Sequence, residues 1–171
     1  IEANGDINIV LKGKNKITIS AESTEGIKST AKVTIDDTIS PAQDCLDIYC
    51  SDGTESVSMI YTGGFGADYA TYIVGGTVNL VEENTRRRYV TGISRWAYVE
   101  NDASLNINLS ADGGRNGVAA LLNLNTSGDT SFRVNSLSSS SYGVYSLDKK
   151  GSGDTALAAE GKAKNIGNKF T

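Results

Sequence analysis

The stretch Ile7-Asn8-Ile9-Val10-Leu11 alternates apolar and polar side chains almost residue by residue, and Leu105-Asn106-Ile107-Asn108-Leu109 repeats the pattern much later in the chain. Successive side chains of a β-strand point to opposite faces, so this alternation predicts strands with one buried face. Three further segments follow it: Lys16-Ile17-Thr18-Ile19, Lys32-Val33-Thr34-Ile35 and Thr77-Val78-Asn79-Leu80. Long helical periodicity is missing from the sequence, which therefore predicts an all-β protein.

A recurring spacing of small and turn-forming residues suggests how these strands are arranged. Small or turn-forming residues that each precede a strand recur at a nearly constant step. They are Gly5, Thr30, Gly53, Gly76, Asp102, Gly128 and Gly153. A second set of positions, mostly aliphatic residues that often follow a glycine, runs from Ile27 to Val144 and recurs at about the same step as the first set. Such a step, with short strands and no helix, is typical of a solenoid. The sequence predicts a right-handed parallel β-helix of about seven coils with about 24 residues per coil. We expect this β-helix to form a single domain over residues 1–171, as part of a longer protein. An antiparallel β-sandwich is the alternative, although it does not explain why two sets of positions recur at the same step.

Composition excludes several classes of function. The 171 residues carry 16 Lys and Arg against 20 Asp and Glu, for a net charge of −4, and contain no histidine. We expect no nucleic-acid partner, because neutralising phosphates needs a basic surface. The absence of histidine excludes Ser-His-Asp and Cys-His catalysis and His-ligated metals. No apolar run approaches the roughly 20 residues that span a bilayer, so we expect no membrane insertion.

Two cysteines, Cys45 and Cys50, are five positions apart. In a straight strand they would lie roughly 16 Å apart on opposite faces, which is too far for a disulfide. A sharp turn between them would allow a bridge. The sequence leaves open both a disulfide and two small, partly buried thiols.

The segments Gly5–Thr18 and Glu25–Asp36 resemble the repeat of a group of secreted bacterial carbohydrate-binding β-helix domains. In that family a strand of the form I/V-x-L-x-G-x-N-x-I-T is followed by G-I-x-(S/T) and then by (V/L)-T-I. The resemblance implies an extracellular or bacterial cell-surface location, binding of polysaccharides that include acidic sugars, and bound calcium. The family also shares the solenoid shape of pectate lyases, but a shared shape does not transfer lyase activity.

Four acidic residues, Asp36, Asp37, Asp44 and Asp47, fall where the repeat departs from its regular step. Calcium takes roughly six to eight oxygen ligands from carboxylates and carbonyls. Carboxylates on adjacent coils would lie about 5 Å apart, close enough to share an ion that also bridges to a uronate. We therefore expect calcium at these residues, with a solvated acidic loop as the alternative.

Tyr49, Tyr72 and Trp96 each lie three residues after a member of the second set of repeated positions, and Tyr98 lies nearby. On consecutive coils the three would stack into a flat platform. A sugar ring binds such a surface through its C–H face, while polar groups at the rim fix its orientation. These residues are candidate ligand contacts, with an internal aromatic stack or scattered surface tyrosines as the alternatives.

Arg86, Arg87 and Arg88 are adjacent, and Arg95 follows after a short segment. Guanidinium groups pair well with carboxylate or sulfate, so these four are candidate contacts to an acidic polysaccharide. A solvated loop that balances neighbouring glutamates is the alternative. The glycine-rich stretch 63–66 predicts only a turn.

The leading functional prediction is a non-catalytic extracellular polysaccharide-binding module, with acidic sugars and calcium as its expected ligands. One alternative is a calcium-dependent polysaccharide lyase that uses Arg or Lys as its base. The other is a structural adhesin or stalk segment. The open end of a β-helix would also allow identical chains to associate end to end.

Overall fold

The computed structural model describes both backbone and side chains for residues 1–37, 44–82, 90–101 and 103–108. It describes the backbone alone for residue 109 and for the strand segments 118–126, 131–136, 141–144, 158–159 and 164–165.

The described residues form β-strands joined by turns, together with one 3-10 turn at Ala67–Tyr69. The strands are β1 (Glu2–Ala3), β2 (Ile7–Leu11), β3 (Lys14–Ile19), β4 (Glu25–Ser29), β5 (Val33–Asp37), β6 (Cys45–Cys50), β7 (Val57–Thr62), β8 (Thr71–Ile73), β9 (Thr77–Glu82), β10 (Val90–Val99), β11 (Ser104–Leu109), β12 (Val118–Thr126), β13 (Ser131–Ser136), β14 (Ser141–Val144), β15 (Ala158–Ala159) and β16 (Lys164–Asn165). Among these residues, no helix has the length and apolar character that crossing a membrane requires.

Every strand pair among the described residues is parallel. In the described part of the chain, the larger sheet has ten strands in the order β1-β4-β7-β10-β8-β5-β2, with β12 beside β10 and with β14 and β15 beside β12. The smaller sheet has six, in the order β16-β13-β11-β9-β6-β3. The long strand β10 joins two halves of the larger sheet, because its first part pairs with β7 and its last part with β8.

In-register pairing stacks aliphatic side chains into rows on the inner face of each sheet. Two of these rows are Ile9-Ile35-Ile73-Val99 in the larger sheet and Ile17-Ile48-Leu80-Ile107 in the smaller sheet. The six row members on inner strands are fully buried. Ile9 on β2 and Ile17 on β3, which are edge strands, are half-buried. Both rows belong to one hydrophobic cluster, so the core lies between the two sheets.

The prediction of a β-helix with seven regular coils is wrong. The described strands form two parallel sheets without a closed solenoid, and a constant step of 24 does not fit them. Ile7 pairs with Val33, whereas Val33 pairs with Thr71, which lies much further along the chain. The connections between strands differ in length. Positions counted at a constant step along the sequence are therefore not the positions that pair in the sheets. The parallel pairs also contradict the antiparallel β-sandwich, whereas the all-β prediction is confirmed.

Cys45 and Cys50 are the first and last residues of β6, and no disulfide joins them. The strand runs between them without a turn, and it leaves Cys45 half-buried and Cys50 buried. Of the two alternatives left open by the sequence, the structure therefore has the pair of separate thiols.

Replacing Ile35 by alanine tests the inner row of the larger sheet. Ile35 is fully buried between Ile9 and Ile73, so the truncation would leave a cavity between strands that are held by their backbone hydrogen bonds. We expect Ile35→Ala to lower the free energy of unfolding by about 2–4 kcal/mol, measured by urea denaturation followed by circular dichroism. Val10→Ala on neighbouring β2, where the side chain is 61% exposed, is the control, with an expected change below about 0.5 kcal/mol. Equal losses in the two variants would contradict the assigned inner face.

Candidate functional site

The loop of residues 63–70 leaves the larger sheet between β7 and β8. The ring of Tyr69 folds back against Gly64, where a Cβ atom would come within 2.5 Å of the ring. Gly66 has a φ of +92°, a conformation that favours glycine, and its carbonyl accepts a hydrogen bond from the Tyr69 N–H at 3.0 Å. These two glycines fix the position of Tyr69, and they leave Phe65 between them 64% exposed.

Arg95 of β10 packs against this loop. Its guanidinium carbon lies 4.4 Å from the centroid of the Phe65 ring and 5.8 Å from that of the Tyr61 ring. A guanidinium within about 6 Å of an aromatic ring is attracted to its π electrons. Tyr69 keeps 39% of its surface exposed beside the more exposed Phe65. We call Tyr61, Phe65, Tyr69 and Arg95 the aromatic corner.

Tyr72 and Tyr98 stack on adjacent strands of the larger sheet. They are register partners, with ring centroids 4.6 Å apart and ring planes 6° from parallel. The Lys32 Nζ lies 5.7 Å from the Tyr72 centroid, and the Tyr72 hydroxyl donates a 3.3 Å hydrogen bond to the carbonyl of Ala67. Because Tyr98 covers one face of Tyr72 and the loop binds its hydroxyl, this stack supports the loop.

The structure does not bring Tyr49, Tyr72 and Trp96 into one stack. Tyr49 lies in the smaller sheet, where the Lys16 Nζ is 4.4 Å from its ring centroid. Trp96 is half-buried and lies at an irregularity in the pairing of β10 with β12, two positions before Tyr98. The register partner of Tyr72 is Tyr98, so counting a constant step selected the wrong neighbour. Sugar contacts by Tyr49 and Trp96 stay predictions.

Of the four predicted arginines, Arg95 lies within the described residues, and Arg86, Arg87 and Arg88 lie outside them. Arg95 is directed at the rings of Tyr61 and Phe65. These contacts hold the aromatic corner together, and a contact of Arg95 with an anionic ligand stays a prediction.

The first two predicted calcium ligands, Asp36 and Asp37, lie together at the end of β5. The N–H of Asp37 donates a 2.8 Å hydrogen bond to Oδ1 of Asp36. Both carboxylates lie directly over Gly75, where a Cβ atom would collide with them. Glycine at position 75 therefore makes the space that these two acidic side chains occupy.

The other two predicted calcium ligands make different contacts. Asp44 accepts a 2.6 Å hydrogen bond from the N–H of Gly13, whereas Asp47 lies in the smaller sheet and accepts one of 2.7 Å from the side-chain amide of Asn79. Asn79 in turn accepts a 2.9 Å hydrogen bond from Asn106, which makes a polar row. Within the described part of the chain, no group of three or more His, Cys, Asp or Glu is placed to hold a metal ion. Calcium binding stays a prediction.

An open cleft of about 230 Å³ adjoins the aromatic corner, and it is lined by Asp6, Ala31, Lys32, Asp68 and Tyr69. Oδ1 of Asp6 accepts a 3.1 Å hydrogen bond from the main-chain N–H of Lys32, which fixes this carboxylate at the rim. The opposite wall, with Asp68 and Tyr69, comes from the loop between β7 and β8. We call this feature the Lys32 cleft.

Sequence reasoning missed Phe65 and Tyr69 and the cleft carboxylates Asp6 and Asp68. The available signal was a large aromatic residue between glycines in the stretch 63–66. A turn needs no large apolar side chain, and surface loops commonly carry binding residues. The cleft carboxylates gave no comparable signal, because they lie far apart in the sequence.

Comparison of the chain with protein-family models, with curated proteins and with solved structures found no match. The geometry of the aromatic corner and of the Lys32 cleft is therefore the basis for assigning a function.

The pKa values of Tyr72 and Tyr98 both lie above the ordinary tyrosine value. Burial is the main cause for each. Charge on Tyr98, Glu100 and Asp68 raises the pKa of Tyr72 further, and Glu100 does the same to Tyr98. We expect these two hydroxyls to ionise late in an ultraviolet titration, and we expect Tyr72→Phe to remove one late-titrating group. A single tyrosine transition near pH 10 would contradict the stack.

The same pKa shifts predict how stability depends on pH. Above about pH 10 the folded protein retains protons on Tyr72 and Tyr98 that the unfolded chain has lost. The stabilisation is therefore complete below that pH and is lost as the pH rises further. Urea midpoints measured at increasing alkaline pH should fall less steeply for the double variant Tyr72→Phe/Tyr98→Phe than for the parent chain. Parallel pH profiles would show that the two hydroxyls are not linked to folding.

Proposed function

We propose that this chain is a non-catalytic polysaccharide-binding module and that the aromatic corner is its contact surface. The observation that carries the proposal is Phe65, a large apolar side chain that remains 64% exposed on a loop fixed by its glycines and by Arg95. A side chain already held in place loses little conformational entropy when a ligand covers it. Such a residue is suited to binding rather than to packing within the chain.

The chemistry of the corner and its surroundings matches a sugar ring. The C–H face of a sugar packs against an aromatic ring, and its hydroxyls need polar partners nearby. Phe65 and Tyr69 supply the aromatic surface. Asp68 and Lys32, in the adjoining cleft, supply polar groups next to it.

The resemblance of segments 5–18 and 25–36 to secreted bacterial carbohydrate-binding domains supports the proposal. It adds an extracellular or cell-surface location, where such a module would meet its polysaccharide. Calcium at Asp36, Asp37, Asp44 and Asp47 is a separable part of the proposal, and chelation tests it.

The position of Arg95 suits a support for the aromatic corner rather than the base of a lyase. A calcium-assisted lyase needs a basic side chain beside the metal and the substrate carboxylate. Arg95 instead packs on Phe65 and Tyr61. A guanidinium held there supports an aromatic contact surface.

Phe65→Ala tests the proposal directly. We expect the variant to bind polysaccharide about tenfold more weakly, equivalent to about 1.4 kcal/mol, because the main stacking surface is lost. Binding is measured by affinity electrophoresis and calorimetry against a panel of soluble and particulate polysaccharides, with calcium and then with chelator. Val10→Ala is the matched control, since Val10 is 61% exposed on the same sheet, and it should bind as the parent chain does.

Two results would overturn the assignment of a non-catalytic polysaccharide-binding module. The first is an absence of binding across the whole panel, with and without calcium. The second is release of unsaturated product, detected by ultraviolet absorbance during the same titration, which would establish a lyase. Binding that Phe65→Ala leaves unchanged would show that the contact surface lies elsewhere.

A further inference from the structure

The Lys32 cleft is lined by two aspartates and one lysine beside the ring of Tyr69, and the Lys32 Nζ lies 5.7 Å from the centroid of the Tyr72 ring. Asp6 and Asp68 are exposed, and Lys32 is half-buried. Among the described residues, no salt bridge joins these three side chains. The cleft therefore offers both hydrogen-bond acceptors and a donor to a ligand, and its net charge is negative.

Glu100 adds a negative charge near Tyr72, the ring that the Lys32 ammonium approaches. The charges of Glu100 and Asp68 raise the pKa of Tyr72, after the larger effect of its burial and the contribution of Tyr98. The cation on the neighbouring strand, Arg95, is directed at Phe65 instead. Neither Glu100 nor Arg95 therefore supplies a further cation to the lining of the cleft.

Sugar hydroxyls match this mixture of groups better than charged sugars do. A hydroxyl both donates and accepts hydrogen bonds, so a pair of hydroxyls can donate to Asp68 and accept from Lys32. A uronate carboxylate only accepts, and it would bring a third negative charge next to Asp6 and Asp68. An amino sugar would instead bring its ammonium group next to Lys32.

We infer that the Lys32 cleft binds a neutral sugar residue, so that the ligand of this module is an uncharged polysaccharide rather than a polyuronate. This inference rests on the proposed binding function and names the ligand class of the same site. The cleft volume of about 230 Å³ is below the roughly 300–1,000 Å³ of pockets for drug-sized ligands, so it suits one sugar residue. The adjoining residues of the polysaccharide then lie on Tyr69 and Phe65.

The test compares neutral polysaccharides with polygalacturonate in the presence of chelator. The neutral probes are xylan, galactan, galactomannan and mixed-linkage β-glucan, and affinities are measured at low and at high salt. We expect a neutral probe to bind most tightly, with an affinity that changes less than about twofold with salt, because no ligand charge is involved.

Asp68→Asn is the diagnostic variant, because it keeps the shape of the side chain and removes one negative charge. A carboxylate is the stronger acceptor, so we expect the neutral probe to bind about tenfold more weakly, while binding of polygalacturonate stays the same or rises. Glu22→Gln removes the same charge from an exposed position outside the cleft and serves as the control. Its affinities should equal those of the parent chain.

The outcomes separate this inference from the proposed function. Tightest binding of polygalacturonate in chelator overturns the inference and leaves polysaccharide binding standing. Binding of a neutral probe that Asp68→Asn does not weaken overturns the assignment to the Lys32 cleft. Failure to bind any probe, neutral or acidic, overturns the proposed function and this inference with it.

Discussion

Parallel backbone pairing in register is the constraint on which the rest of this structure depends. Side chains alternate between the two faces of a strand, so a slip of one position would move a whole inner row to the solvent. The row Ile27-Ile60-Ile93 in the larger sheet shows how the register is fixed. All three residues are fully buried, and each packs against an equivalent side chain on the next strand. The inner face is therefore mostly aliphatic, with Ser29, Thr62, Thr71 and Glu82 as its buried polar members, and most of the chemical variety lies on the outer face and in the connections.

The outer face uses much of its own polarity in contacts between strands. Asn106 donates to Asn79, and Asn79 donates to Asp47, so one polar row of the smaller sheet satisfies its own members. Tyr72 and Tyr98 cover each other in the larger sheet in the same manner. Side chains that bond to their neighbours in the row have fewer groups left for a ligand. This is why the candidate site lies in a connection.

The strands could be predicted from the sequence because alternation is a local property. The segments predicted around Ile7–Leu11 and Thr77–Leu80 are strands in the structure, with small differences at their ends. The arrangement could not be predicted by counting, because the separation of partners depends on the length of each connection. Ser29 pairs with Thr62 and Val33 with Thr71, and the second pair is further apart in the sequence because the connection from β7 to β8 is the longer one. The aromatic residues were assigned to the wrong neighbours for this reason.

The same irregularity explains where the candidate site lies. The connection from β4 to β5 spans residues 30–32, whereas the connection from β7 to β8 spans 63–70. In the equivalent region, β10 continues as one strand without a connection. The longer connection cannot lie within the sheet, because the strands on either side already pair in register. It therefore projects over the neighbouring turn, where its residues Phe65 and Tyr69 remain exposed and Asp68 lines the Lys32 cleft. The longer connection, which breaks the regular spacing, is thus the feature of the sequence that places aromatic and charged groups together. Counting strands at a constant step does not detect it.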